Sequence, residues 1–264
     1  MTAAETGPAA PEGMGPVLAW VLERSHGASA RQLAGVIGDA ARRLGIPRTR
    51  LYLADLQQQR LLPLPQPDLT PPEREGLDVD GSLGGLAYRT QEVQSTRDGD
   101  TTWFPMVDGI ERIGVMQALT PATGTPSGLR EAGRALASLA SLLVVSKSTH
   151  HDRLIRGQRT RPMTLQAELL WAFLPPRTIG TDLATSSAVL EPAYDIGGDA
   201  FDHSFIDAIL HLTLVDAMGH DLASGGASGA ALAACRATRR SGATSATSSP
   251  PSTAPSPSGS RTGS

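Results

Sequence analysis

Residues 102 to 119 read TWFPMVDGIERIGVMQAL. An apolar run from Trp103 meets Asp108-Gly109, and a second apolar run follows from Ile113. Two strand-like runs flanking an Asp-Gly pair predict a β-hairpin, because glycine supplies the positive φ that a tight hairpin turn requires. Working outward, RTRLYLADLQ from Arg48 alternates Leu51 and Leu53, with Leu56 less regular, and reads as a strand. Before it, SARQLAGVIGDAARRLGI from Ser29 places Leu33, Val36, Ile37, Ala40 and Leu44 on one helical stripe. Gly45 stops that helix and Pro47 prevents its resumption. After the hairpin, SGLREAGRALASLASLLVV from Ser127 is again helical. Helices flanking strands that connect by hairpins predict an α+β domain with an antiparallel sheet over residues 15–147. Residues 1–14, rich in Ala, Pro and Gly, are expected to be disordered.

Composition narrows the function. The 264 residues suffice for one large domain or two ordinary ones. A net charge of −3 gives no nucleic-acid footprint. Lys147 is the only lysine among mostly arginine cations, which carries no functional weight. Cys235 is the only cysteine, so no internal disulfide forms, in keeping with a reducing compartment. MTAAETGPAAPEG has neither a basic region nor an apolar core and does not read as a secretory signal. The apolar run ALASLASLLVV from Ala135 is too short to cross about 30 Å of hydrocarbon. The expectation is a cytoplasmic protein without a membrane or nucleic-acid partner.

Residues 148–175 read as a helical linker. Leu165, Leu169, Ala172 and Phe173 share one face, and Pro175-Pro176 end the helix because proline cannot donate the next backbone bond. The two apolar runs predict one long helix or two stacked ones from Leu129 to Phe173. Their stripes point to a parallel homodimer, the alternative being that they pack on their own domain. SAVLEPAYDI and AILHLTLVDA read as short strands. Residues 243–264, nearly all Ser, Thr, Pro, Gly and Ala, are expected to be disordered.

The second half gathers acids around paired glycines: EPAYDIGGDAFD at 191–202, then VDAMGHD at 215–221. Asp199 and Asp216 fall at strand ends, and a turn near Ile206-Asp207 brings those ends together. Paired carboxylates on strand ends suit hard cations such as Mg²⁺ or Mn²⁺. Gly197 and Gly198 let the backbone approach closely. The competing reading is that aspartates beside glycine are turn residues, and that His220 is a surface histidine.

In order, AELLWAFLPP, LEPAYDIGGDAFD and DAMGHDLASG closely resemble the bacterial SpoIIE-like branch of the metal-dependent PPM serine/threonine phosphatases, over residues 167 to 225. The resemblance implies the first part of a PPM-type α/β-sandwich at 176–242, with two Mn²⁺ or Mg²⁺ ions in the intact site. Asp199, Asp216 and the backbone carbonyl of Ala217 would be metal ligands. It further implies hydrolysis of phosphoserine or phosphothreonine on a regulator resembling an anti-anti-sigma factor. Phe173 stands for the family's leucine, Ala217 for a glycine, and Asp221 for the second glycine of Gly-His-Gly. More loosely, GSLGGLAYRTQEV from Gly81 and WFPMVDGIERIGVMQAL from Trp103 resemble a GAF domain, with PAS as the rival. That implies a pocket for an unknown small ligand over one sheet face. No cysteine suits a bilin and no haem ligand stands out.

No Asp or Glu follows Asp221. The family contributes at least two more aspartates beyond this point, so the metal site is expected to be incomplete and the phosphatase domain truncated or frame-shifted. Two functions follow: a sensor-controlled protein phosphatase, or a catalytically inactive sensor that binds a ligand or dimerises.

Overall fold

The computed structural model describes residues 12–66, 68–120 and 127–242. Of the stretches expected to be disordered, 1–14 and 243–264, residues 1–11 and 243–264 lie outside the described residues, while Met14 already opens the first helix. In chain order the elements begin with α1 (Met14–His26), α2 (Ala30–Arg43), β1 (Arg48–Ala54), β2 (Arg60–Pro63), α3 (Pro71–Glu75) and β3 (Leu77–Asp78). Next come α4 (Leu83–Thr90), β4 (Gln94–Ser95), β5 (Thr101–Asp108), β6 (Glu111–Leu119) and α5 (Ser127–Ser148). Then follow α6 (Asp152–Gly157), α7 (Leu165–Phe173), β7 (Thr178–Gly180), β8 (Thr185–Ser187), β9 (Asp199–Ile206), β10 (Ile209–Asp216) and α8 (Leu222–Arg240).

The first six strands form one antiparallel sheet in the order β3-β2-β1-β6-β5-β4. β5 and β6 are the hairpin read from Thr102 to Leu119, closing at Asp108 opposite Glu111 with Gly109 at φ 59°. The central strand β1 is buried on both faces, and the side-chain alternation sorts it cleanly. Leu51 and Leu53 join Phe104, Met106 and Met116 beneath α1, α2 and α5. Tyr52 and Ala54 join Trp103 and Val115 beneath α4. The fold class is α+β, as the alternation and the Asp-Gly turn predict.

α2 begins where Ser29 predicts. The Gln32 side chain reaches back to the Ser29 backbone N–H at 2.9 Å, and Gly45 beyond its end has φ 84°.

The linker is not one helix. α5 ends at Ser148, α6 occupies a single short stretch, and residues 158–164 are non-helical before α7. Pro162 disfavours helical backbone at Arg161, and Thr164 then caps α7, accepting from the Ala167 N–H at 3.4 Å. α5 instead lies back on its own sheet: Leu136, Ala137, Ala140 and Val144 are buried in the first core. The stripe expected to seek a second copy is thus covered internally. The buried Lys147 ammonium donates to the Ala28 carbonyl at 2.7 Å, fixing the end of α5 to the α1–α2 turn. Leu142 remains half-exposed on α5.

Residues 188–196 are not a strand either. They run as an irregular segment held against α7, because Trp171 Nε1 donates to the Ala193 carbonyl at 2.8 Å and the Thr164 N–H to the Tyr194 carbonyl at 3.1 Å. Pro192 lacks the donor a ladder needs.

The part after α6 contains two separate two-stranded sheets, β9–β10 and β7–β8. A small core of Ala167, Leu170, Ile196, Ala200 and Leu232 joins α7, α8 and β9. This part meets the first domain through Arg177. Its Nε lies 3.2 Å from Glu111 Oε1, and its Nη1 donates to the Leu56 carbonyl at 3.2 Å. Among the described residues no helix is long and apolar enough to cross a membrane.

Candidate functional site

β9 and β10 are joined across Asp207, which takes φ 52°, and pair along their whole length. Asp216 stands directly opposite Asp199 in that ladder. Directly opposed residues on antiparallel strands share a face, with Cβ atoms about 4.5–5.5 Å apart. The two carboxylates therefore lie within reach of one cation, and both are exposed. Sequence spacing anticipated this convergence.

The glycines have the role that close approach demands. A Cβ on Gly198 would run into the Ala217 carbonyl oxygen, and one on Gly197 would come within 3.1 Å of the Gly219 carbonyl oxygen. The Gly-Gly-Asp turn and the Asp-Ala-Met-Gly turn are thus packed backbone to backbone. The Gly198 carbonyl accepts from the Ala217 N–H at 3.4 Å and from the buried Ser228 hydroxyl of α8. α8 lies close to α7 because it presents small residues there. A Cβ on Gly229 would lie 3.2 Å from the Phe173 ring, so the aromatic at 173 fits over a position without a side chain.

The other two acids of the cluster do not join Asp199 and Asp216. Asp202 is 3% exposed and on the opposite face of the hairpin, toward α8. Its Oδ1 accepts from Arg236 Nε and Nη2 at 2.9 and 2.7 Å, and its Oδ2 from Arg239 Nη1 at 2.8 Å. Burial pushes the Asp202 carboxyl up, but the hydrogen bonds and charges of the two arginines more than offset this and hold it below the ordinary carboxylate value. Asp221 caps α8, accepting from the Ser224 N–H at 2.9 Å, and this bond holds its carboxyl low. Of the four acids gathered around the paired glycines, Asp199 and Asp216 share the exposed face of the hairpin, while Asp202 and Asp221 secure α8. His220 is an exposed side chain beside the Gly197 turn.

Sequence reasoning missed Arg236 and Arg239. Their spacing of three on one helix was a usable signal, since it turns both guanidinium groups to one face. It also missed His203, 4% exposed in β9. Its Nε2 lies 2.7 Å from the Pro176 carbonyl and its Nδ1 2.9 Å from Ser186 Oγ, tying β9 to β8 and to the end of the linker. The carbonyl only accepts, so Nε2 carries the proton.

Among the described residues, no three or more His, Cys, Asp or Glu gather into a metal cluster. Asp199, Asp216 and the Ala217 carbonyl are oxygen donors of the kind that Mg²⁺ and Mn²⁺ take. They fit such an ion in kind and fall short of six ligands in number.

The sheet face beneath α4 is packed by the chain's own side chains around Tyr52 and Trp103. The Tyr52 and Trp103 rings stand 5.6 Å apart, and a Cβ on Gly84 would come within 3.0 Å of the Trp103 ring. Burial pushes the phenols of Tyr52 and Tyr88 up to about 12.

No family model matches this chain. No curated protein matches it either. Among solved structures, the chain is similar to the GAF domain of an Acinetobacter phosphoenolpyruvate-protein phosphotransferase, at 14% identity and TM-score 0.44, covering 53% of this chain and 97% of that one. The GAF domain of the phosphoenolpyruvate-protein phosphotransferase from Coxiella burnetii aligns at 12% identity and TM-score 0.45, covering 52% and 95%. A GAF domain/HD domain protein from Geobacter sulfurreducens aligns at 16% identity and TM-score 0.41, covering 52% and 99%. At these identities and scores the similarity transfers no activity, ligand or partner. The fold of the first domain rests on its own strand order.

Proposed function

We propose that this chain is a signalling module in which a GAF-like sensor domain is joined to a unit resembling the SpoIIE-like PPM phosphatases, and that sensing and binding, rather than phosphate hydrolysis, are its role. The observation that carries this reading is the register of β9 and β10. It sets Asp199 against Asp216 on one exposed face, while Asp202 and Asp221 are committed to α8. This face therefore offers two carboxylates to a divalent cation.

Asp199 and Asp216 would hold one Mn²⁺ or Mg²⁺ weakly. Such an ion would supply Lewis-acid polarisation of a phosphoryl oxygen. The chain's own contribution is positional. The Gly198–Ala217 backbone contact fixes the two strand ends, and Ser228 holds that contact from α8. The phosphorylated regulator implied by the resemblance would be met at this exposed face. The sensor reaches it through Arg177, whose guanidinium touches Glu111 and the Leu56 carbonyl in the first domain.

Hydrolysis of a phosphoserine peptide with excess Mn²⁺ tests the proposal. The expected result is no metal-dependent turnover approaching about 1 s⁻¹, the low end of ordinary enzyme rates. Turnover at that rate, abolished by Asp199→Asn, would show a working phosphatase and overturn it.

A further inference from the structure

On the other face of the first domain, α2 carries Arg31, Gly35, Gly38 and Arg42 at i, i+4, i+7 and i+11, one stripe of the helix. Glycine inside a helix lowers its stability, so two of them need a reason. Close packing does not supply it. A Cβ on Gly35 would meet nothing within 4 Å, and one on Gly38 nothing nearer than 3.7 Å. What the glycines leave is a trough of about 380 Å³ between α2, β1 and the segment that follows β2.

A second, independent observation lies in β1. Thr49 is 3% exposed and its Oγ1 has no hydrogen-bond partner. A buried hydroxyl left without a partner is costly. That oxygen lies 3.8 Å from where a Gly38 Cβ would stand, and Arg42 Nη1 lies 3.7 Å from the same point. A group seated over Gly38 would meet both donors at once.

The charges of the trough are mostly but not wholly balanced. Arg50, 2% exposed, is held by Gln66 and Asp68, and Arg48 lies against Asp68 and Glu73. Arg42 pairs with Asp39, but both are more than half exposed, and such a pair holds weakly. Arg31 has no carboxylate partner among the described residues.

We infer that this trough binds a small phosphate monoester, its phosphate over Gly38 between the Thr49 hydroxyl and the Arg42 guanidinium, with Arg31 at the open end. Arg42 lies across the opening and exchanges Asp39 for the ligand. A tetrahedral anion with several terminal oxygens suits donors arriving from a strand and a helix, and charge-assisted bonds are the strong ones. The trough opens on the side of the sheet away from α4, and it is remote from Asp199 and Asp216 in the fold.

The test uses the full chain with EDTA present, which keeps any divalent site out of the signal. Ribose 5-phosphate is titrated by calorimetry and by thermal shift, with ribose and with sodium chloride at matched ionic strength as controls. Saturable binding of ribose 5-phosphate alone is expected. Thr49→Val and Arg42→Ala should each weaken it roughly tenfold or more, the effect of losing one hydrogen bond to a charged group. Gly38→Ala should raise the melting temperature without ligand, as alanine favours the helix, while weakening binding. No saturable binding, an equal shift with sodium chloride, or unchanged affinity in folded Arg42→Ala and Gly38→Ala would overturn the inference.

Discussion

Replacing Asp202 by asparagine should separate an acid that holds the fold from an acid that holds a cation. Asp202 is buried, and its oxygens take three bonds from Arg236 and Arg239. Removing one partner of a buried pair leaves the other charge uncompensated, at a cost of about 3–5 kcal/mol. Two features favour the lower end of that range. Arg236 keeps its 2.6 Å bond to the Phe173 carbonyl, and the arginine side chains are 20% and 10% exposed, so water reaches them in part. About 3 kcal/mol is a large share of the roughly 4–12 kcal/mol that a unit of some 80 residues commands. Hydrogen exchange along α8 measures it: protection in Asp202→Asn should fall by about two orders of magnitude, the equivalent of that free energy. Protection of β1 and β6 should not change. Acid sharpens the test. The folded carboxyl sits below its unfolded value near 3.9, so its contribution is complete above that value and lost as pH falls through the folded one. The variant should therefore lose less stability than the parent on acidification. A loss of protection below threefold, or an unchanged acid response, would refute the reasoning.

Three further outcomes follow from the same geometry. Gly198→Ala forces a Cβ into the Ala217 carbonyl and should destabilise the second part by about 1–3 kcal/mol, read by urea unfolding. Asp221→Ala removes the cap of α8 and should cost about 1 kcal/mol in the same assay, with no change in cation binding. The apolar stripe of α5 packs on its own sheet and leaves Leu142 half-exposed there, so light scattering at micromolar concentration should give a monomeric mass; a dimer that Leu142→Asp dissociates would contradict this.

What the sequence disclosed depended on whether a local pattern had one physical solution. The Thr102–Leu119 hairpin did, since alternation across an Asp-Gly turn leaves little choice. The pairing of Asp199 with Asp216 did as well, because a turn at Asp207 determines which residues face each other. ALASLASLLVV did not. Its stripe demanded an apolar partner without saying whether that was a second copy or the sheet already in the chain. Asp202 was equally ambiguous: beside paired glycines it looks like a ligand, and the arginines that claim it lie 34 and 37 residues away. SAVLEPAYDI misled for a different reason. Its apolar content serves contacts with α7, and the tertiary bonds to Trp171 and Thr164 override strand propensity.

The central claim is that Asp199 and Asp216 together hold a divalent cation. Electron paramagnetic resonance of free Mn²⁺, titrated against the full chain, tests it most directly. The account predicts one site with a dissociation constant on the order of 10⁻³ M, as few charged ligands give weak sites. That site should be lost in Asp199→Asn and in Asp216→Asn and kept in Asp221→Ala. Mn²⁺ binding that survives both asparagine variants, or no binding by the parent chain, would contradict it.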